Sequence, residues 1–317
     1  MTTNTLHKMK YLVLLALPIF CASTCEKPVN FKVEPAAPEI FISSNFKDDS
    51  AIEVEVTKRT YEVLQEGTEE FVSNAIVSIM EGGEFLGQLD FVYPSIPRAK
   101  PVYSTTGFLP QNGKEYIIQV EVEGFQTISA KSIIPPKIEI EEFYVGDITK
   151  TQSQGINNIT YDFPVFVAYN DPAEETNYYH LKIAQEIIEF SVIEGDTMPG
   201  RSFLNTIKFS GENDNNFVNA YFAGGVLLQD APFGQQYGFN MRIGINPSYQ
   251  RLGKLFVELR TVSEDYYRFH NSLDHQDQQA GGTGGFPAPA IPYFNIENGS
   301  GIFAGYTQAV DSLQIGR

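Results

Sequence analysis

Apolar and polar residues alternate with a period of two along most of the chain from residue 51 onwards. In the stretch AIEVEVT, the residues Ile52, Val54 and Val56 alternate with polar side chains, which predicts a strand with one apolar face towards a core. The other alternating runs are Ala75, Val77 and Ile79; Tyr116, Ile118, Val120 and Val122; Phe163, Val165 and Val167; Tyr179, Leu181 and Ile183; Tyr237, Phe239, Met241, Ile243 and Ile245; and Leu255, Val257 and Leu259. This pattern predicts a mainly β protein.

Turn signals and prolines divide the strands into two regions. Gly82-Gly83 and Asn112-Gly113 predict tight turns, because these residues tolerate positive φ angles. Pro135-Pro136 ends the first region. Residues 38–136 are therefore predicted to form an Ig-like β-sandwich, and residues 137–317 a larger C-terminal β-rich domain.

One segment has helical spacing instead. Ser263 is followed by two carboxylates, which places a capping hydroxyl and negative charge where the start of a helix favours them. Tyr266, Phe269 and Leu273 then recur at the spacing of a helical face. The segment predicts one short helix near residues 264–275, with its aromatic side chains towards the core.

Two residues within the alternating runs lead to further predictions. Pro164 has no N–H to donate, so its strand is predicted to be an edge strand or to carry a bulge. His180 alternates with Tyr179 and Leu181, so its side chain is predicted to face solvent.

Motifs for catalysis or metal binding are sparse. His270 and His275 are five residues apart, about 140° on a helix, which does not favour a shared zinc ion. The sequence contains no Gly-x-Ser-x-Gly, no His-Glu-x-x-His and no phosphate-binding glycine loop. Glu212 and Asp214 lie in a cluster of oxygen-bearing side chains that could bind Ca²⁺, with a polar surface loop as the favoured interpretation. The prediction is a non-enzymatic protein without a cofactor.

The N-terminus has the pattern of an export signal. Two lysines precede an uncharged apolar run, Tyr11–Phe20, which is too short to span a bilayer. Small residues lead directly into Cys25, and a lipoprotein signal peptidase requires a small residue before the cysteine that carries the lipid. We therefore predict a signal peptide over residues 1–24 and lipidation at Cys25. The alternatives are an ordinary cleaved signal peptide and a small disulfide loop with Cys21.

Residues 25–37 are interrupted by prolines and have no regular apolar period, which predicts a tether. The formal net charge of the whole chain is −17, and removing the signal removes two lysines and no acid. Such an acidic surface repels nucleic acid and anionic headgroups, so a nucleic-acid partner is not expected. The lipid would then be the main membrane attachment.

A second irregular segment lies between the predicted helix and the C-terminus. Residues 276–292 are rich in glycine, proline and glutamine, which predicts a flexible loop. A functional interpretation is that Phe286, Tyr293 and Phe294 are aromatic anchors that bind a partner.

Three segments carry a resemblance to a known family. They are Asp171-Pro172 with Asn177-Tyr178-Tyr179, then Leu259–Tyr267, then Asn295–Gly305. In order and spacing they resemble the landmark segments of a Bacteroidota lipoprotein family known only as domain of unknown function forty-two forty-nine. The first half is also similar to transthyretin-like and carboxypeptidase-regulatory-like sandwich modules, through Asn74–Ile79 and Glu123-Gly124-Phe125.

The resemblance implies a role without naming catalytic residues. Members of this family are often encoded beside TonB-dependent, SusC-like receptors of the outer membrane. The expected protein is a lipid-anchored outer-membrane protein, at the cell surface rather than on the periplasmic face. It would act as a non-catalytic partner of such a receptor in nutrient capture. The alternatives are a scaffolding subunit of an outer-membrane protein assembly or secretion complex, and a surface hydrolase.

The last landmark segment has its own interpretation. Asn298-Gly299 predicts a tight turn, and Gly301 and Gly305 predict close backbone approach. A structural role is therefore expected for these glycines rather than a ligand site.

Overall fold

The computed structural model describes residues 37–62, 65–96, 99–153, 157–172, 174–206, 218–219, 224–230, 236–280 and 292–315, with only the backbone described for residues 61–62, 65–67, 218–219 and 274–280. The strands in these residues are β1 (Glu39–Lys47), β2 (Glu53–Glu62), β3 (Gln65–Phe71), β4 (Ile76–Glu81), β5 (Glu84–Gln88), β6 (Asp90–Val92), β7 (Val102–Ser104), β8 (Glu115–Glu121), β9 (Ile128–Ile133), β10 (Ile140–Val145), β11 (Thr149–Gln152), β12 (Ile159–Tyr169), β13 (Tyr178–Ile193), β14 (Asp196–Thr206), β15 (Val218–Asn219), β16 (Val226–Gln229), β17 (Gln236–Ile245), β18 (Gln250–Val262) and β19 (Ser300–Gln314). The described residues contain one helix, α1 (Glu264–Ala280). The mainly β prediction is confirmed.

A large sheet connects the two ends of the chain. Its strand order is β15-β16-β13-β18-β19-β1-β2-β7-β6, with β14 paired to β13 and β3 paired to β2. The first and last of the described strands, β1 and β19, are parallel neighbours, with Phe41 opposite Ser300 and Lys47 opposite Tyr306. The sheet therefore continues across the predicted boundary between residues 136 and 137.

The N-terminal core lies between one face of β1 and β2 and a smaller sheet of order β5-β4-β8-β9. Val54 and Val56 on β2, and Ile52 directly before it, are buried, as their alternation predicted. The smaller sheet contributes the buried residues Val77, Ile79, Tyr116, Ile118, Val120, Ile128 and Ala130. Gly82, Gly83 and Gly113 have positive φ angles, so both predicted turns are confirmed.

The C-terminal core lies between β13 and β18 of the large sheet and a second smaller sheet, in which β10, β11 and β17 all pair with β12. Its buried residues include the predicted alternating faces, namely Phe163, Val165, Val167, Tyr179, Leu181, Ile183, Tyr237, Phe239, Met241, Ile243, Ile245, Leu255, Val257 and Leu259. These two sandwiches share the large sheet, so one continuous sheet supports both cores.

The prediction for Pro164 is wrong, because β12 is paired on both sides and its register with β17 is continuous. The irregularity lies instead in the neighbouring strands. The Pro164 carbonyl accepts a hydrogen bond from Gly146 N at 2.9 Å, in the gap after β10 ends at Val145 and before β11 starts at Thr149. The N–H and C=O of one strand residue point to the same side, so the donor that proline lacks would face this gap.

Helix α1 packs on the opposite face of the large sheet from the C-terminal core. Its N-cap is Ser263, whose Oγ accepts a hydrogen bond from Tyr266 N at 3.3 Å, as predicted. Tyr266 and Phe269 are buried with Val262 and Ile302 in a third apolar cluster. The helix continues to residue 280 rather than ending near 275, so the predicted flexible loop does not begin at 276. In the described part of the chain, the helix is not long and apolar enough to cross a membrane.

Candidate functional site

The three segments that resemble family landmarks are neighbours in space. Tyr178 on β13 lies opposite Val262 on β18, and Val262 lies opposite Tyr306 on β19. The backbone N–H of Ser263 donates a hydrogen bond of 3.0 Å to the carbonyl of Gly305, which ties the start of α1 to β19. Segments that are far apart in sequence therefore form one continuous region around the N-terminus of the helix.

The first of these segments is closed by hydrogen bonds to its own residues. The Tyr179 hydroxyl donates to the buried carboxylate of Asp171. The side-chain amide of Asn177 donates to the carbonyls of Pro172, at 3.3 Å, and Glu175, at 2.9 Å. Burial, with the hydrogen bond to Asp171, raises the pKa of Tyr179, so this hydroxyl keeps its proton. The segment thus forms a rigid corner before β13.

A hydrogen-bonded network lies beneath α1 and links β13, α1 and β18. Nε2 of His180 lies 2.5 Å from the carbonyl oxygen of Gly224. Because a carbonyl only accepts, Nε2 carries the proton, and Nδ1 accepts from the Tyr266 hydroxyl at 2.8 Å. The same hydroxyl accepts from Nη1 of Arg260 at 3.2 Å, and Nε of Arg260 donates to Glu258 at 2.6 Å. We call these four side chains the His180–Arg260 network.

The prediction that His180 faces solvent is wrong, because its side chain is fully buried. Its position opposite to Tyr179 and Leu181 is as predicted, but α1 covers that face of the sheet. Lys182, Glu258 and Arg260 lie on the same covered face, and none of the three was predicted from the sequence. Their alternating polar positions look like a solvent face, and only the aromatic residues of the later helix indicate that something must cover it.

Burial and neighbouring charges set the protonation states in this region. Burial, followed by the charge of Lys182, lowers the pKa of His180 well below its usual range. The same two effects, with Arg260, lower the pKa of His270 to about 4. Burial, with Arg260, lowers the pKa of Lys182 to about 8. At neutral pH both histidines are therefore neutral, while Arg260 is charged.

The chemistry of the network favours a structural role. Burial opposes the charge of Arg260, but Tyr266, Glu258 and Tyr306 together raise its pKa. Its guanidinium carbon also lies 4.5 Å from the ring centroid of Tyr306. The charge of Arg260 is thus neutralised and hydrogen-bonded within the protein. His180 is 0 % exposed, and both of its ring nitrogens are hydrogen-bonded to other groups of the protein. The network fixes how α1 sits on the sheet.

The glycines of the third segment are required by the backbone. A Cβ atom on Gly301, whose φ is 113°, would clash with the backbone of Ile42 on the neighbouring strand β1. A Cβ on Gly305 would clash with the carbonyl of Ile133, at the end of β9. The predicted close approach is confirmed, and the segment joins β19 both to β1 and to the smaller sheet of the N-terminal sandwich.

The comparisons with known proteins give a family. The family model described as a domain of unknown function (DUF4249) matches residues 26–312. The chain belongs to the DUF4249 family. No curated protein matches the chain.

Two of the predicted partner-binding aromatics already have partners inside this DUF4249 protein. Tyr293 donates its backbone N–H to Ser272 Oγ at 2.9 Å, and its hydroxyl donates to Asp265. Phe294 packs edge-on against Phe41 of β1, with ring centroids 6.3 Å apart. Tyr293 thus lies against α1, and Phe294 lies against β1. Binding of a further partner by these residues stays a prediction.

The remaining predicted site residues of the DUF4249 chain lie outside the described residues. They are the lipidation residue Cys25, the aromatic residue Phe286 and the calcium candidates Glu212 and Asp214. Across the ranges that the structure does describe, no three His, Cys, Asp or Glu residues are grouped so that they could hold a metal ion.

Proposed function

We propose that this DUF4249 protein is an outer-membrane lipoprotein of a Bacteroidota bacterium, anchored through Cys25 at the cell surface. It acts as a non-catalytic partner of a TonB-dependent, SusC-like receptor in nutrient capture. Its N-terminal sandwich corresponds to a transthyretin-like module in this proposal.

The single observation that carries the proposal is the sequence around Cys25. An apolar run with basic residues before it ends in Ala22-Ser23-Thr24-Cys25, and the first strand begins at Glu39. Two acyl chains of roughly 16 carbons, at about 0.8 kcal/mol for each buried methylene group, are sufficient for stable attachment to a bilayer. The segment between Cys25 and Glu39 contains enough residues to separate the sheets from the bilayer surface.

The closed character of the His180–Arg260 network supports a non-catalytic role. Its ionisable side chains are hydrogen-bonded to each other beneath α1 instead of converging on an open cleft. Strained or perturbed groups at an enzyme site are normally open to a substrate. The perturbed pKa values of this region therefore have a structural explanation.

An exposed edge strand supports a protein partner. Among the described strands, β14 pairs only with β13, and its residues are exposed throughout. It presents Met198, exposed to 50 %, and Leu204, exposed to 58 %, and the adjoining end of β13 presents Val192 and Ile193. Exposed apolar side chains on a strand edge are typical of surfaces that bind another protein. We assign this edge to the receptor contact.

The proposal is tested by purifying the tagged, full-length lipoprotein from gently solubilised outer membranes and identifying the bound proteins by mass spectrometry. A TonB-dependent barrel in the preparation is the expected result. Recovery of assembly or secretion components in its place would support the scaffolding alternative and contradict the receptor. Recovery of the protein alone would also contradict it.

A further inference from the structure

A cleft of about 510 Å³ opens at one end of the C-terminal sandwich, where its two sheets separate. The cleft is lined by residues from β11, β12, β13, β14, β17 and β18. Ile245, Leu252 and Ile315 form its apolar floor, and all three are buried members of the C-terminal core. The cleft is therefore an outward opening of the gap between the sheets, supported by a rigid core.

Among the described residues that line this cleft, two are cationic and none is acidic. The cations are Lys150 on β11 and Arg251 on β18. Neither forms a salt bridge with any described residue. The chain has a formal net charge of −17, so the positive charge of this lining is opposite in sign to that of the whole protein. The arrangement favours an anionic occupant.

The carboxylates on neighbouring strands are held by other groups. Asp162, next to the cleft residue Tyr161, accepts a hydrogen bond of 2.6 Å from Arg242. The pKa of Glu186 is lowered mainly by a hydrogen bond from Ser202, and the charge of Arg251 is the smallest contribution. The Glu186 carboxylate accepts from Ser202 Oγ at 2.6 Å and from a backbone N–H at 3.1 Å. No carboxylate in the described ranges lies within salt-bridge distance of Lys150 or Arg251, so their N–H donors can bind a ligand.

The walls of the cleft supply aromatic surface and further polar groups. Tyr161 on β12 and Phe190 on β13 are half-buried, and both line the cleft. The ammonium nitrogen of Lys150 lies 5.4 Å from the ring centroid of Tyr161, which places the charge beside the aromatic face. Thr197 and Gln250 add a hydroxyl and an amide. Apolar walls with a few converging polar groups are typical of small-molecule sites.

We propose that this cleft binds a small organic anion. Its carboxylate, sulfate or phosphate group pairs with Lys150 and Arg251, and its ring or apolar body packs on Tyr161 and Phe190. The binding is non-covalent and involves no catalytic step. The site depends neither on the lipid anchor nor on the receptor, so a failed receptor test leaves this inference standing.

The test uses the full-length chain carrying Cys25→Ser, which has no lipid, and the fluorescent probe 2-naphthoate. The chain contains no tryptophan, so the naphthalene fluorescence is measured against little protein background. The neutral analogue 2-naphthamide has the same ring body without the charge. We expect saturable, one-to-one binding of 2-naphthoate by fluorescence anisotropy, and binding of 2-naphthamide that is weaker by about tenfold or more.

Charge variants locate the bound probe. Lys150→Gln with Arg251→Gln changes two exposed side chains and should weaken 2-naphthoate binding by about tenfold, while 2-naphthamide binding stays within about twofold. Lys58→Gln with Lys131→Gln removes the same charge from the N-terminal sandwich and should leave both affinities unchanged. Equal affinity for the two probes, a response that does not saturate, or equal loss in the two charge variants would overturn the proposal.

Discussion

The Tyr266 hydroxyl oxygen lies 2.8 Å from Nδ1 of His180 and 3.2 Å from Nη1 of Arg260. One hydroxyl of α1 thereby joins side chains from β13 and β18, two adjacent strands of the large sheet. The hydroxyl donates to the histidine and accepts from the arginine. Because this hydroxyl is bonded to both side chains, the position of α1 is fixed relative to both β13 and β18.

Removing this hydroxyl with Tyr266→Phe should lower the free energy of unfolding by about 1–3 kcal/mol, because Nδ1 of His180 and Nη1 of Arg260 each lose their hydrogen-bond partner. The matched control is Tyr267→Phe, because Tyr267 is only half-buried and stacks on Tyr178 with ring centroids 4.9 Å apart. Urea denaturation of both variants measures the difference. Equal losses in the two variants would contradict a specific role for the Tyr266 hydroxyl.

Acid should destabilise the protein through His180, which is buried, and His270, which is half-buried. The folded-state pKa values of His180 and His270 are lowered from the usual value of 6.5, that of His270 to about 4. The unfolded chain therefore binds more protons than the folded chain between these pH values, and stability falls as the pH falls. The stabilisation by the neutral histidines is complete above pH 6.5 and is progressively lost towards pH 4.

The measurement is urea denaturation at pH 7.5, 6.0 and 5.0. The variant carrying His180→Gln and His270→Gln should show a shallower fall between pH 7.5 and 5.0 than the wild-type chain. The charged groups that face these histidines are Lys182 and Arg260, with Glu258 beside them, and the variant retains all three. An unchanged pH dependence in this variant would contradict the assignment.

Replacing Lys182 should stabilise the protein at neutral pH. Burial and the charge of Arg260 lower its pKa to about 8, so its charge is unfavourable in the folded state at pH 7. Lys182→Met should raise the free energy of unfolding by about 1 kcal/mol at pH 7. Lys58→Met, on the N-terminal sandwich, is the control and should change the free energy of unfolding little.

The free energy of unfolding of the wild-type chain should also rise as the pH increases from 8, because Lys182 loses its proton at a lower pH in the folded chain than in the unfolded chain.

Gly301→Ala should be strongly destabilising. The residue has a φ of 113°, and a Cβ would clash with the backbone of Ile42, so the parallel pairing of β1 and β19 must shift. We expect a loss of about 3 kcal/mol or more, measured by thermal unfolding. Gly87→Ala is the matched control, since a Cβ there has no atom within 4 Å. A loss no larger than that of the control would argue against the strand contact as the reason for the glycine.

The sequence allowed the buried faces to be predicted, because period-two alternation is a local property that survives in every tertiary context. Val54 and Leu181 are buried as predicted for this reason. The environment of His180 depends on a helix that begins at Glu264, and alternation within its own strand contains no information about that cover. The prediction that β12 is an edge strand or carries a bulge was wrong for a related reason. On one side of β12, Pro164 faces the gap between β10 and β11, and the sequence of β12 alone does not show that gap.

The parallel contact between β1 and β19 could not be predicted from the sequence either. It joins residues from opposite ends of the chain, with Phe41 opposite Ser300, and no turn or spacing rule connects them. The glycines of the last segment were the available signal, because they indicated close backbone approach without naming the neighbouring strand.

Lipidation at Cys25 is tested separately from the partner. Cells expressing the wild-type chain and Cys25→Ala are grown with labelled palmitate, and the protein is recovered from the membrane and soluble fractions. Label should be incorporated only by the wild-type chain, and Cys25→Ala should leave the membrane fraction. Equal labelling of both chains would show that the lipid is attached elsewhere or that the label is unspecific.

The measurement that tests the central claim most directly is the molar ratio of TonB-dependent barrel to lipoprotein in preparations from gently solubilised outer membranes. Three tagged chains are compared: the wild type, Leu204→Glu on the exposed edge strand, and Val310→Glu, whose side chain has the same exposure of 58 % on β19. The account predicts a ratio near one for the wild type and for Val310→Glu, and a ratio reduced by about tenfold or more for Leu204→Glu. A wild-type preparation without a barrel would contradict the receptor partnership, and an equal ratio in all three would contradict the assigned edge.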